Sequence, residues 1–96
     1  MIIMDLYDEI KTQFPKMADC LPPKEMKKFL ECDYKKLALY HLGLGTWIRN
    51  NLLQKNSTLF NTFLSCGISE KDDMSSLMIR LFYIYLKPKY DEKFPK

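Results

Sequence analysis

Arginine is almost missing from this chain: of its fifteen basic residues only Arg49 and Arg80 are arginines, and the lysines are scattered or gathered toward the end. A reader of duplex nucleic acid normally carries a basic stripe with arginines to hold phosphates and base edges, so a net charge of +3 spread this way argues against such a partner. Cysteine is scarce as well. Cys20, Cys32 and Cys66 are odd in number and widely spaced, and His41 is the single histidine, so neither a disulfide framework nor a zinc site is expected. The expected home is the reduced cytoplasm, with no metal and no cofactor. Met1-Ile2-Ile3-Met4 runs straight into Asp5 without a basic stretch before it, which does not read as a secretion signal. The longest apolar run, Leu77 to Leu86, contains Arg80 and is too short to cross a bilayer, so no membrane partner is expected.

What is present is enough for a core. Hydrophobic residues make up 47% and aromatics 14% of 96 residues, which supports one soluble domain without covalent staples. A domain this small leaves much surface wet, so a homo-oligomer is an economical way to bury more. No segment alternates with the period of a strand, and the reading is an all-α bundle of about five helices: a domain over 1–88 and a charged tail over 89–96.

The helices follow from spacing and punctuation. Leu6, Ile10 and Phe14 recur every four residues, predicting a short helix that Pro15 closes, followed by a loop holding Asp19 and Cys20. Pro23 suits a first helical turn, and Met26, Phe29 and Leu30 give a second helix its buried side, ending near Cys32. Asp33 can cap the longest, central helix, about 34–53, whose Leu37, Tyr40, Leu44, Trp47, Ile48 and Leu52 share one arc. Asn56 or Ser57 caps a fourth helix with Leu59, Phe60, Phe63 and Leu64, and Gly67 stands where a left-handed terminating residue belongs. Ser69 and Asp72 have the spacing of a capping box, opening a fifth helix on Met74, Leu77, Met78, Leu81 and Tyr85 that Pro88 stops near Lys87.

Two of the three glycines fall in the central helix, at Gly43 and Gly45, where each costs about 1 kcal/mol relative to alanine. Three readings fit: close approach of another helix, a notch for a ligand, or a break in the helix. On a regular helix His41, Gly45 and Arg49 stack on one face about 12 Å from end to end, with the bare glycine in the middle. Such a recess, overlooked by an imidazole and a guanidinium, suits an anionic or planar guest. Arg49 offers a planar fork for a carboxylate or phosphate, or an internal pair with Asp72 or Asp73. Asn50 can read an amide or base edge or merely fray the helix end, and Trp47 is either core or a stacking platform. Gly43-x-Gly45 lacks the third glycine, the preceding strand and the lysine of phosphate loops, and no nucleophile stands at catalytic spacing from His41.

The string His-Leu-Gly-Leu-Gly-Thr-Trp-Ile-Arg-Asn-Asn over 41–51, with Asp72-Asp73-Met74-Ser75 further on, resembles a family of small bacterial and phage proteins of unknown function. The likeness covers about 37–86 and maps onto His41, Gly43, Gly45, Trp47, Ile48, Arg49, Asn50, Asn51, Asp72, Asp73, Met74 and Ser75. This chain departs from it at Leu52-Leu53-Gln54, where members carry an aromatic after the asparagine pair and a tryptophan beyond. The resemblance implies a shared helical fold and a polar site without naming a ligand.

The function expected from the sequence is non-catalytic binding of a small anionic or nucleotide-like molecule at His41, Gly45, Trp47, Arg49, Asn50, Asp72 and Asp73. Sequestration of a signalling nucleotide in phage or bacterial defence would be one such task. The alternative is a protein-protein interaction module, an immunity protein or inhibitor, using the tail aromatics and the lysine-rich second helix.

Overall fold

A computed structural model describes residues 5–95; the amino-terminal residues 1–4 and residue 96 of the tail lie outside it. The fold is all-α. Its helices are α1 (Leu6–Lys11), α2 (Phe14–Cys20), α3 (Pro23–Glu31), α4 (Thr46–Asn51), α5 (Thr58–Ser65) and α6 (Lys71–Lys93). Between α3 and α4 the chain winds as a 3₁₀ helix, Tyr34–Tyr40, and then as a π turn, His41–Gly45. No helix is long and apolar enough to cross a membrane among the described residues.

Several predicted signals act as expected. The Asp33 carboxylate accepts from the Lys35 N–H, and the Ser57 hydroxyl accepts from Phe60 N–H at the start of α5. Gly67 has φ +85°; its N–H reaches Leu64 O, and Ile68 N–H reaches Phe63 O, which together form a Schellman closure.

Three punctuation signals read differently in space. Pro15 does not close α1 but sits in the first turn of α2, where a missing N–H costs nothing, so the expected loop around Asp19 and Cys20 is helical. Pro88 does not stop α6. The helix continues to Lys93, because the carbonyl that loses its partner four residues back belongs to exposed Ile84 and two contacts fasten the far end. Lys87 Nζ donates to Leu30 O at 2.6 Å, and Tyr90 OH donates to the Glu31 carboxylate, so 89–93 continues the helix with Tyr90 clipped back onto α3. Ser69 makes no capping box. Glu70 is the cap residue of α6 without a side-chain bond, and Asp72 points elsewhere.

The core is one cluster. Phe29, Phe63, Phe82, Ile10, Met17 and Ile48 are fully buried, with Phe82 stacked 5.8 Å from Phe29 and tilted 5.2 Å from Phe14. On α6 the buried line runs through Met74, Met78, Phe82 and Tyr83, while Leu77, Leu81 and Tyr85 are half-buried at its edge. Tyr83 donates to Cys32 O, and burial pushes both its hydroxyl and the Cys32 thiol above their ordinary pKa.

Hydrogen bonding to Glu31 pushes the Tyr90 hydroxyl up to about 12. A raised folded value means that the contact stabilises below the ordinary tyrosine range, near 10, and is lost as pH climbs from there toward 12. The stability gap between wild type and Tyr90→Phe, read from urea midpoints, is therefore expected to be constant at neutral pH and to shrink above about pH 10.

Candidate functional site

The central stretch is helical throughout but not one α-helix. The tight 3₁₀ turns advance each residue by about 120° instead of about 100°, and the wider π turn gives part of that rotation back. Leu37, Leu44 and Ile48 therefore still face the core, while Leu39 and Leu42 are left 77% and 81% exposed.

Helical side chains lean toward the amino terminus, and Arg49 leans back over Gly45. A β-carbon built on Gly45 would stand 3.1 Å from Arg49 Nη1 and 3.7 Å from His41 Nδ1, so the space left by the glycine is already occupied from within the chain. This corrects the expected recess: the imidazole and the guanidinium converge over Gly45 instead of flanking an open notch. Each nitrogen of the guanidinium then has a neighbour within the chain. Nη1 donates to the fully buried Ser75 hydroxyl at 3.0 Å, Nη2 donates to Thr46 Oγ1 at 2.9 Å, and Nε lies 3.7 Å from Asp72 Oδ1. Ser75 in turn donates to Asp72 O at 3.1 Å. Of the two roles open to Arg49, the structure takes the internal one.

Asp72 also stands 3.8 Å from His41 Nε2, so His41, Gly45, Arg49 and Asp72 do come together, as a clasp between the π turn and α6. Trp47 does not join them; it packs half-buried against the core. Asn50 and Asp73 are exposed and stand apart, Asn50 using its carbonyl to accept from Gln54. The two glycines differ in kind. Gly43 has nothing within 4 Å of a would-be β-carbon, whereas the atom facing Gly45 is pinned by Ser75. Gly43→Ala is expected to raise stability by about 0.5–1 kcal/mol and Gly45→Ala to lower it by about 1 kcal/mol, a contrast read from paired denaturant melts.

Beside the clasp lies an open cleft of about 270 Å³, with Leu37, Ala38 and His41 on one wall and Ser76, Ile79 and Arg80 on the other. Arg80 is exposed, and no carboxylate comes within 4 Å of it among the described residues. Ser76 and Arg80 were not singled out from sequence. The signal was there: Asp72, Ser76 and Arg80 are spaced by four on one helix, and Arg80 is the second of only two arginines. The cleft thus presents an imidazole, a guanidinium and a hydroxyl over a small apolar floor. No group of three or more metal-ligating side chains is gathered among the described residues.

No curated protein and no solved structure matches the chain. Residues 8–86 match a family described as Domain of unknown function (DUF6794), a span that contains the whole clasp and the whole cleft, and the chain belongs to that family.

Proposed function

We propose that this protein is a non-catalytic binder of a small anionic molecule, seated in the cleft between the 3₁₀/π segment and α6. The observation that carries this reading is Arg80, which faces His41 across the cleft with no carboxylate within 4 Å among the described residues, while Arg49 is held inside the fold. Ser76 supplies a hydroxyl, and Leu37 and Ile79 supply a floor for a planar or apolar body, which fits a nucleotide-like ligand. The cleft lies near the lower end of the roughly 300–1,000 Å³ typical of small-molecule sites, which favours a mononucleotide over larger guests. His41 stands across from Ser76 and Arg80, with its Nε2 3.8 Å from Asp72 Oδ1. Sequestration of a signalling nucleotide in the cytoplasm of a bacterium, in defence or in phage counter-defence, would use such a site.

Calorimetry and thermal shift with a panel of nucleoside monophosphates and cyclic nucleotides test this. At least one should bind saturably and raise Tm, with affinity falling tenfold or more in Arg80→Ala and the ligand-free Tm unchanged. If no nucleotide shifts the wild type, the reading fails.

A second reading rests on Leu39 and Leu42, which stand nearly bare beside His41. Such a pair marks a contact for a partner protein or a second copy. Leu39→Glu with Leu42→Glu should then abolish a stoichiometric complex recovered by co-purification, or convert a dimer to monomer, and leave nucleotide binding intact.

A further inference from the structure

A different part of the molecule carries its own geometry. The last turns of α6 run alongside α3 because of the two fastenings at Leu30 and Glu31, and between them lies an open cavity of about 610 Å³. Its walls are Pro23, Met26, Tyr90, Phe94 and Pro95 with Lys27 and the Tyr90-bonded Glu31 at the edge, and a neighbouring cavity of about 300 Å³ shares Met26, Tyr90 and Phe94 and extends the floor to Leu30 and Leu86. Phe94 remains 54% exposed, stacked 5.0 Å from Tyr90, at the junction of the two.

The rim of this apolar trough is basic. Lys27 edges the larger cavity and Lys89 and Lys93, one turn apart, edge the smaller, and none of the three has a carboxylate within 4 Å among the described residues. The acids nearby are engaged: Glu31 accepts from Tyr90, and Asp91 pairs with Lys87 at 3.2 Å. A continuous apolar floor that ends at lysines, held in place by contacts that do not depend on a guest, matches one kind of molecule better than others. Its walls are helices, so it offers no unpaired backbone row to a peptide strand.

We propose that the trough between α3 and the carboxyl-terminal end of α6 binds an anionic single-chain amphiphile of the fatty-acid class, its chain along Met26, Tyr90 and Phe94 and its headgroup at Lys89 and Lys93. The lysine stems cover the chain while their ammonium groups meet the carboxylate. Each methylene buried strengthens binding about fourfold, so affinity rises with chain length until the trough is full. The site is separate from the His41–Arg80 cleft, and neither ligand is expected to displace the other.

The test is calorimetry on the full chain with laurate, kept below its micelle concentration, against dodecyltrimethylammonium, which has the same tail and the opposite charge. Laurate should bind one to one, at least tenfold more tightly than the cationic analogue. Lys89→Glu combined with Lys93→Glu should weaken it tenfold or more, measured at a temperature where the variant is fully folded. Phe94→Ala, also at the surface, should weaken both tails. Equal binding of the two amphiphiles, or no saturable binding of laurate, overturns the proposal, as does laurate binding that is indifferent to all three substitutions.

Discussion

Phe82→Ala is expected to destabilise the domain by about 3–5 kcal/mol, the largest effect of any single substitution considered. The ring is fully buried and touches Phe14 of α2 and Phe29 of α3, so its loss opens a cavity that three separate helices would have to close. A domain of this size has a total stability of about 5–15 kcal/mol, and a fall in Tm of more than about 15 °C should follow, measured by calorimetry. Phe82→Leu, which refills most of the volume, should recover more than half of the loss.

Arg49→Ala is expected to cost about 2–3 kcal/mol, or roughly 10–20 °C in Tm. Two charge-assisted hydrogen bonds disappear, and the space over Gly45 falls empty. The Asp72 contact contributes little of this, because that carboxylate is 72% exposed and screened. Ser75 limits the damage, since its hydroxyl still donates to Asp72 O once the guanidinium is gone. Arg49→Lys should lose about half as much, because an ammonium cannot reach Ser75 and Thr46 with the same fork. Nucleotide affinity, measured at a temperature where the variant is folded, should change far less than in Arg80→Ala. That difference separates a residue that builds the fold from one that meets the ligand.

The all-α class and most of the core were legible because apolar residues recur at helical spacing, and Leu37, Leu44, Ile48, Met74 and Met78 are buried where that spacing puts them. The prolines were less legible. Pro15 and Pro88 carry the same sign in sequence, but one occupies a first turn and the other sits in a long helix whose end is fastened to α3 from outside. The 3₁₀ and π winding of 34–45 left no trace in the periodicity, since overwinding and underwinding partly cancel and the core positions stay in phase. The meeting of His41, Gly45, Arg49 and Asp72 was anticipated from residue types. What occupies the space over Gly45 was not, although the lean of helical side chains toward the amino terminus indicates that Arg49 itself would lie there. Ser76 and Arg80 share a helix face with Asp72 in the sequence, but the wall opposite them, Leu37, Ala38 and His41, is set only when α6 packs against the 3₁₀/π segment.

A double-mutant cycle on Arg49→Ala and Ser75→Ala, read from urea unfolding at neutral pH, bears most directly on the guanidinium as an internal clasp. The structure predicts a coupling energy of about 1–2 kcal/mol, with the double variant little worse than Arg49→Ala alone. Losses that simply add to within about 0.5 kcal/mol would contradict it, and would return Arg49 to the list of side chains free to meet a ligand.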